Sequence, residues 1–494
     1  MARRGLFGLA AIGAVGALAL AACSSSSTPT PPPSGFNKAV TSVVNPSTAK
    51  GGTITFDNSS APDSTDAGNT YYAFNLNFTR LYATPLTTYK SCPGKCGAGV
   101  VPALATSLGT ATDGNKTWTF HIKPNVKFED GTTVTSQDVK YAVERTFDRS
   151  VLPNGPSYFA TLLAGNAAKY PGPFKNRSKN LMGLTSVTTP DATTVVFHLN
   201  QPFADFNYVV AFPQTAPVPP AKDTGANYQN HPLSTGPYKF SSYQLNKQYV
   251  LVPNPMWNPS WNPQVKQLAS KIIVNLNVNA NDIDNRLMAG DIQVDQAGSG
   301  VQAAARAKIL SNPSLKANSD DPVNGFMWFY YINSKVPPLN NIHCRMAVEF
   351  AANKTNLQTA YGGPYGGSIA STAMPPTVLG YKSFDLYHAL SKPGGDIAAA
   401  KQQLAMCGHP NGFTTNIAEL NDPAVNNLFV QLETATSKSA SVSISKQIDL
   451  AVMKDAVFLP GVYTKTLLYR PTSLTNVTFN SYYGMYDYGV MGMK

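Results

Sequence analysis

The run from Thr112 to Arg145 constrains the fold of this chain more than any other segment. Its Asp113-Gly114 pair predicts a turn, because glycine tolerates positive φ angles. Apolar and polar residues then alternate over residues 117–122, which predicts a strand with one apolar face. A second turn at Asp130-Gly131 leads to a helical stripe whose start Thr135 can cap. The segment therefore predicts a turn, a strand, a second turn and a capped helix.

Residues 1–22 have the layout of a secretory signal peptide. Arg3 and Arg4 precede an apolar stretch, residues 6–20, that is shorter than the roughly 20 apolar residues of a membrane span. The stretch ends in Leu20-Ala21-Ala22-Cys23, which resembles a bacterial lipobox. That resemblance implies cleavage before Cys23 and a diacylglycerol on its sulfur. An ordinary Ala-x-Ala signal site with an incidental cysteine is the alternative, and Arg3-Arg4 leaves the twin-arginine export route open.

Residues 23–45 predict a lipidated tether. The stretch from Ser24 to Gly35 consists mainly of serine, threonine and proline, which cannot form a core, and its prolines favour an extended spacer. One acyl chain anchors a protein only weakly, so stable attachment implies at least two acyl groups on the mature terminus. No later segment is apolar enough to span a bilayer. We therefore expect an exported protein held at the outer face of the cell membrane by its lipid anchor.

Composition bounds the possible classes of function. The 494 residues leave room for more than one domain or for one large two-lobed unit, and an apolar content of 43% is ample for their cores. A net charge of +11 could suit a nucleic-acid binder, but no basic run or stripe accompanies it. We therefore expect no nucleic-acid partner and interpret the charge as dispersed over the surface.

The cysteines predict two disulfides. With Cys23 set aside, four cysteines remain, an even number in an oxidising compartment. We predict the pairs Cys92–Cys96, which flank a short turn, and Cys344–Cys407. The alternative for the second pair is a metal site with His343 and His409, although the spacing matches no standard zinc motif. We accordingly predict no metal and no cofactor.

The run from residue 112 to 145 also resembles the signature of the family-5 extracellular solute-binding proteins, the binding components of peptide- and nickel-type ATP-driven importers. The matching positions are Val126, Lys127, Phe128, Asp130, Gly131, Thr135, Asp138 and Val139. Residues 234–240 and 251–257 resemble two further elements of the family pattern. The resemblance implies an α/β, two-lobed, periplasmic-binding-protein-like fold of type II, with an enlarged first lobe and two hinge crossings.

On that fold, residues 46–268 are expected to form lobe I, residues 269–468 lobe II, and residues 469–494 a return to lobe I. The hinge crossings are expected near residues 271–275 and 461–467. The ligand would bridge the lobes and stabilise a closed state that a permease recognises, because it binds that state better than the open one.

One departure from the family pattern lies at Ala418/Glu419, where a piece of lobe II looks deleted. In peptide-binding members the missing piece carries an aspartate that holds the α-ammonium of the peptide, and a buried ammonium needs such a partner. We therefore expect a shortened second lobe and weak affinity for free peptides.

Candidate ligand-binding residues follow from the same resemblance, which places contacts in the loop after the first strand and in lobe-crossing segments. The candidates are Asp63, Asp66, Tyr71, Tyr72, Tyr238, Tyr331 and Asn333. Each could instead be a packed aromatic or a turn residue. Tyr71 and Tyr72 are the sharper candidates, because adjacent tyrosines cannot both face one core.

The resemblance implies a binding protein and not an enzyme: a membrane-anchored monomer that delivers a small, peptide-like solute to an ABC permease driven by ATPase subunits. Two alternatives stay open. The first is a non-transporting relative, such as a sensor or a degenerate binder, and it rests on the apparent deletion. The second is an exported serine hydrolase, resting on Ser443 and Lys446 in a Ser-x-x-Lys arrangement that lacks its companion motifs.

Overall fold

The computed structural model describes residues 35–174, 183–415 and 437–494. Cys23 and the Ala418/Glu419 junction lie outside the described residues. The strands are β1 (Thr53–Asp57), β2 (Thr87–Tyr89), β3 (Val100–Pro102), β4 (Thr110–Thr112), β5 (Thr117–His121), β6 (Val187–Asp191), β7 (Thr194–His198), β8 (Tyr238–Gln244), β9 (Gln248–Pro253), β10 (Lys271–Asn275), β11 (Val294–Asp295), β12 (Ser319–Asp320), β13 (Val323–Tyr331), β14 (Gly367–Ile369), β15 (Phe458–Lys465), β16 (Leu468–Tyr469), β17 (Leu474–Thr475), β18 (Phe479–Asn480), β19 (Met485–Tyr486) and β20 (Gly492–Met493). The α-helices are α1 (Lys38–Thr41), α2 (Ala73–Thr79), α3 (Ser136–Arg145), α4 (Tyr158–Leu162), α5 (Phe206–Val209), α6 (Ala280–Ala289), α7 (Ala303–Ser311), α8 (Pro313–Ala317), α9 (Ile342–Ala351), α10 (Lys354–Ala360), α11 (Ile397–Met406) and α12 (Lys438–Lys454).

The strand and helix predicted from residues 112–145 are confirmed as β5 and α3. β5 lies in an antiparallel sheet of order β4-β5-β7-β6, and α3 packs against β6 and β7. The Thr135 side chain accepts from the backbone of Asp138 while the Asp138 carboxylate accepts from the Thr135 N–H at 2.7 Å, so the helix start is a capping box. Trp118 and Phe120 point into a core shared with Phe206.

The central sheet of lobe I has the order β11-β1-β10-β9-β8. β10 pairs in parallel with β1 and antiparallel with β9, so it lies in the middle of this sheet. The prediction that residues 271–275 form a hinge crossing is therefore wrong. Ile272 and Val274 are buried in the lobe I core beside Phe56. Alternating apolar residues specify a strand with one buried face but not the sheet that it joins.

The crossing between the lobes lies about fifty residues later than the 268/269 boundary expected from the sequence. β12 pairs antiparallel with β16, and β13 begins immediately beyond β12. The return passes from β15 into β16. The two crossings are thus adjacent strands near residues 320–323 and 465–468, and the region 269–319 packs with lobe I through β10 and β11.

Lobe II is built on the smaller sheet β13-β15-β14. Its core joins Val452 and Met453 of α12 to Phe458 of β15, with Met327 and Phe329 of β13 packed against them. Among the described helices, none has the length and apolar run that crossing a membrane requires.

The described N-terminal residues are joined directly to the crossing strands. The Ala39 N–H donates to Asp320 Oδ1 at 2.9 Å, and the Asp321 N–H donates to Asn37 Oδ1 at 2.6 Å. Arg470, just after β16, forms a buried ion pair with the same Asp320. Asn37 and Ala39 belong to the predicted tether of residues 23–45, so the described end of that segment is packed against the hinge strands and is not a free spacer.

Candidate functional site

A cavity of about 440 Å³ lies between the two lobes. Lobe I contributes Tyr89, Ala98, Asp205, Tyr208, Ser481 and Tyr482 to its walls. Lobe II contributes Asn324, Gly325, Phe326, Thr377, Val378, Leu379, Lys438, Ser441, Val442 and Ser445. Its size falls within the range of roughly 300–1,000 Å³ that small-molecule sites occupy.

The lobe I wall is a group of tyrosines. The rings of Tyr89 and Tyr482 are stacked with centroids 3.4 Å apart, and the ring of Tyr208 lies 6.0 Å from that of Tyr89. Burial raises the pKa of Tyr482 to about 12, and the nearby Tyr71 adds to the shift. The Tyr482 hydroxyl therefore stays protonated at neutral pH. This wall offers aromatic surface and hydroxyl groups to a ligand.

The lobe II wall is more apolar. Phe326, on β13, is 61% exposed, and Val378 and Leu379 are also exposed. The first turns of α12 supply the polar part of this wall through Ser441 and Ser445.

Two polar contacts join the lobes beside the cavity. The Ser441 hydroxyl donates to Asp205 Oδ2 at 2.7 Å. Lys438 Nζ donates to the Tyr208 hydroxyl and lies 4.7 Å from the centroid of its ring. Both lobe II residues lie in the first turn of α12, and both lobe I residues lie at α5. These contacts form only when the lobes approach each other, so they belong to the closed arrangement.

Sequence reasoning missed Asp205, Tyr208, Lys438 and Ser441. They come from segments far apart in the chain, and no local motif marks either segment. Only the approach of α12 to α5 brings them together, so no spacing in the sequence could have indicated them.

Tyr71 and Tyr72 are exposed, by 48% and 54%. The Tyr71 hydroxyl lies 2.5 Å from that of Tyr158, and its ring packs 6.0 Å from that of Phe212. Neither Tyr71 nor Tyr72 lines the cavity, but Tyr71 packs on Phe212, which lines a small neighbouring pocket together with Tyr482 of the cavity wall. The structure thus places Tyr71 on the lobe I surface next to the cavity wall.

The two predicted aspartates of the same loop are engaged within lobe I. Asp63 accepts from the backbone N–H of Tyr71 at 2.9 Å and from the side chain of Asn75, so it shapes the loop. Asp66 is buried and bound to Arg145 at 2.6 Å. Because Arg145 is itself fully buried, it needs the carboxylates of Asp66 and Asp223 to balance its charge. The structure gives Asp66 a structural role and not the predicted ligand contact.

Tyr238 is also placed away from the cavity. Its side chain is buried in the lobe I core, and its hydroxyl accepts from the backbone N–H groups of Leu268 and Ala269 at 2.9 Å each. Burial raises its pKa to about 12. A buried tyrosine whose hydroxyl is already hydrogen-bonded cannot reach a ligand, so this expectation is corrected.

Tyr331 and Asn333 lie at the far end of β13 from Phe326. The ring of Tyr331 packs edge-on against Phe329 and Phe458, and Asn333 Oδ1 accepts from the Lys335 N–H at 2.9 Å in a turn. Neither residue lines the cavity.

The structure contains disulfides between Cys92 and Cys96 and between Cys344 and Cys407, the two pairs expected from the sequence. Cysteines bonded in this way cannot supply thiolate ligands to the alternative metal site. His409 packs against Phe413. In the described part of the chain, no group of three His, Cys, Asp or Glu side chains is arranged to hold a metal ion.

Ser443 and Lys446 are exposed on α12 and do not line the cavity, although the neighbouring Ser441 and Ser445 do. The hydrolase alternative therefore has its two residues outside the cleft in which a substrate would be held.

Comparison with known proteins agrees with the two-lobed architecture. A solved structure of the clavulanic acid biosynthesis oligopeptide binding protein 2 is 30% identical and superposes with a TM-score of 0.87, covering 94% of this chain and 99% of that one. The unliganded open form of the murein tripeptide-binding protein MppA is 18% identical with a TM-score of 0.70, covering 92% and 98%, and shows a similar fold.

Curated relatives are binding proteins by name. The probable D,D-dipeptide-binding periplasmic protein DdpA of Escherichia coli K12 is 26% identical over 75% of this chain and 66% of its own length. The oligopeptide-binding protein OppA of Bacillus subtilis is 26% identical over 56% of this chain and 49% of its own length. The chain thus spans between about half and two thirds of these relatives. The family profile described as bacterial extracellular solute-binding proteins, family 5 Middle, matches residues 99–449. This chain therefore belongs to the family-5 bacterial extracellular solute-binding proteins.

Proposed function

We propose that this protein is the solute-binding component of an ATP-driven importer, and that it captures a small, peptide-like solute in the cavity between its lobes. The observation that carries the proposal is that cavity, whose walls come from both lobes and whose edge carries the contacts of Ser441 with Asp205 and of Lys438 with Tyr208.

A ligand in this cavity touches Tyr482 of lobe I and Phe326 of lobe II at once. Those contacts exist together only when the lobes are closed, so the ligand binds the closed state better than the open one. That difference in affinity drives closure, with the adjacent strands β12 and β16 as the hinge. A permease that recognises the closed form would then distinguish loaded from empty protein.

The peptide-like ligand is supported by the relatives, whose names state dipeptide and oligopeptide binding. The cavity volume of about 440 Å³ suits a small peptide. Delivery to permease and ATPase subunits belongs to the same proposal, as does anchoring of a monomer at the outer face of the cell membrane through Cys23.

Thermal unfolding of the purified mature protein against a library of peptides and other small solutes tests the proposal. A true ligand raises the melting temperature in a saturable way, because it binds the folded state and not the unfolded one. A Ser441→Ala variant should bind the same ligand more weakly, while Ser314→Ala, on α8 outside the cavity, should bind normally.

A library without a single saturable hit would argue against solute capture. Uptake of the labelled hit by cells with and without the gene then separates a transporting protein from a sensor. Equal uptake in both would contradict delivery to a permease.

A further inference from the structure

The lobe I wall of the cavity depends on one short loop. Residues 90–99, here called the clipped loop, join β2 to β3, and the disulfide between Cys92 and Cys96 closes part of this loop into a ring. Ala98, two residues beyond the disulfide, lines the cavity, and so does Tyr89 at the end of β2. Two lobe I residues of the cavity wall thus belong to the clipped loop or lie directly before it.

The turn between β18 and β19 rests on the clipped loop. Ser481 and Tyr482 of this turn also line the cavity. The Ser481 hydroxyl donates to the carbonyl oxygen of Gly94, which lies inside the disulfide ring, at 3.2 Å. The aromatic ring of Tyr482 stacks on that of Tyr89 with centroids 3.4 Å apart. Both wall residues of the turn are therefore held by the clipped loop or by the strand before it.

The clipped loop packs too closely to move independently of this turn. Gly97 is buried, and a Cβ atom added there would lie 2.9 Å from the carbonyl oxygen of Cys92 and 3.6 Å from Ser481 Oγ. Glycine suits this position because the backbone approaches its neighbours so closely. Because no gap separates the loop from the turn, a displacement of the loop also displaces Ser481.

The disulfide of this loop is accessible from solvent. Cys96 is exposed, whereas Cys344 of the second disulfide is fully buried. A small dithiol such as dithiothreitol can therefore attack the Cys96 sulfur, which breaks the S–S bond and releases Cys92 as a thiolate. The second sulfur of the reagent then displaces Cys96 and closes a cyclic disulfide. The reagent loses two electrons and two protons, which the two cysteine thiols take up.

Without this bond, the clipped loop gains conformational freedom that solute binding would have to remove. A loop that is already fixed in its bound conformation avoids that loss of affinity. We propose that the Cys92–Cys96 disulfide positions the lobe I wall, so that the affinity of the cleft for its solute depends on whether the bond is closed. The two cysteines do not line the cavity and act through Ala98, Ser481 and Tyr482. The inference rests on the proposed function, because it concerns the regulation of the same cleft.

Calorimetric titration of the mature protein with the dipeptides Ala-X, one for each standard residue X, tests the inference. A Cys92→Ser/Cys96→Ser variant should bind the dipeptides that the parent binds about tenfold more weakly. The parent treated with dithiothreitol should show the same loss, and reoxidation should restore its affinity. Lys95→Ala, at an exposed position inside the disulfide ring, keeps the bond and should bind as the parent does. A hit from the solute library replaces the dipeptides if none of them binds.

A second variant and melting curves separate positioning from loss of the fold. Gly97→Ala leaves the disulfide closed but forces the loop away from Cys92, so it should also weaken binding. The melting temperatures should stay within about 5 °C of the parent value, because a bridge over a short loop contributes little to stability.

Parent-like affinity in either folded variant, Cys92→Ser/Cys96→Ser or Gly97→Ala, would overturn the inference and leave the proposed function standing. If the double-cysteine variant does not fold, the reduced and reoxidised parent and Gly97→Ala decide the question. A parent that binds none of the dipeptides and nothing in the solute library would overturn both the inference and the proposed function.

Discussion

Asp66 and Tyr71 share one loop of lobe I but occupy opposite environments. Asp66 is buried and neutralises Arg145, so its charge is committed to the fold. Tyr71 is exposed and is held in place by the hydroxyl of Tyr158. The physical difference between them is the ion pair, because a buried guanidinium without its carboxylates would be severely destabilising. Residues of one loop therefore divide into those that maintain the fold and those that can meet a ligand.

Replacing Tyr71 with phenylalanine should weaken ligand binding without weakening the fold. The change removes the exposed hydroxyl that lies 2.5 Å from that of Tyr158 and that the sequence predicts to contact the ligand. Loss of one hydrogen bond to a ligand corresponds to an affinity loss of about three- to tenfold. Calorimetric titration with the best ligand of the library measures the loss. Asp66→Ala is the contrasting variant and should reduce the free energy of unfolding by about 3–5 kcal/mol. Parent-like affinity in Tyr71→Phe would remove Tyr71 from the site.

Cys23 should carry the lipid. Cys23→Ala removes the sulfur that forms the thioether, so we expect it to abolish labelling by a radioactive fatty acid and to release the protein from the membrane fraction. Ser24→Ala leaves that sulfur in place and should label normally. Labelling that persists in Cys23→Ala would contradict lipid attachment at this residue.

For single residues, the sequence predicts exposure better than it predicts contacts with distant parts of the chain. Exposure of at least one of Tyr71 and Tyr72 follows from their adjacency, because two neighbouring side chains cannot share one core. That both are exposed is seen only in the structure. The engagement of Asp66 could not be foreseen, since its partner Arg145, which also binds Asp223, lies far along the chain. The predicted contact of Tyr238 failed for the same reason: its acceptor role toward Leu268 and Ala269 depends on the fold.

At the scale of elements, the hinge depends on a buried carboxylate. Asp320 of β12 accepts from the Tyr486 hydroxyl at 2.7 Å and from the Ala39 N–H at 2.9 Å, and it pairs with Arg470 beyond β16. One side chain thus ties together the N-terminal segment, both crossing strands and the C-terminal part of lobe I.

Asp320→Ala should therefore cost about 3–5 kcal/mol of unfolding free energy, because it leaves Arg470 buried without its partner. Urea unfolding measures the change. Asp291→Ala, at an exposed position of lobe I, is the matched control and should be nearly neutral. Equal stability of the two variants would show that the Asp320 cluster does not hold the hinge.

Helix α3 carries a buried acid that makes stability depend on pH. Burial raises the pKa of Glu144 from an ordinary 4.5 to about 7, although its carboxylate accepts from the Leu184 N–H at 2.8 Å. Between these two values the folded protein binds a proton that the unfolded chain has lost. The free energy of unfolding should therefore fall as pH rises from 4.5 to 7.

Glu144→Gln should flatten that dependence, because glutamine keeps the acceptor oxygen and does not titrate. Urea unfolding at pH 5 and at pH 7.5 measures the difference. Asp282→Asn, on the exposed face of α6, removes an acid without burial and should leave the slope unchanged. A Glu144→Gln protein with the full slope of the parent would contradict the role of Glu144.

The sequence predicts the strands and helices of this protein better than it predicts where they lie in the fold. β5 and α3 follow from a local pattern of turns, alternation and a capping box, and all of these are encoded within the segment. The sequence predicts β10 as a strand, but it wrongly predicts that this strand crosses between the lobes. Its position between β1 and β9 depends on pairing over long sequence distances, which periodicity does not encode.

At the scale of the whole molecule, the two lobes and the family could be predicted because the motif from residue 126 to 139 is long and specific. The cavity could not be predicted from the sequence, because it exists only where α12 and β13 of lobe II approach the tyrosines of lobe I. Function therefore depends on an arrangement of the lobes that no single segment specifies.

The central claim is that a ligand closes the two lobes over this cavity, and the distance between the lobes tests it most directly. Spin labels at Leu245→Cys on lobe I and Ile397→Cys on lobe II occupy exposed positions away from the cleft, in a protein released from its anchor by Cys23→Ala. Pulsed electron paramagnetic resonance then gives the distance distribution with and without a saturating ligand. The account predicts that ligand shortens and narrows the distribution. A ligand that binds by calorimetry but leaves the distribution unchanged would contradict it.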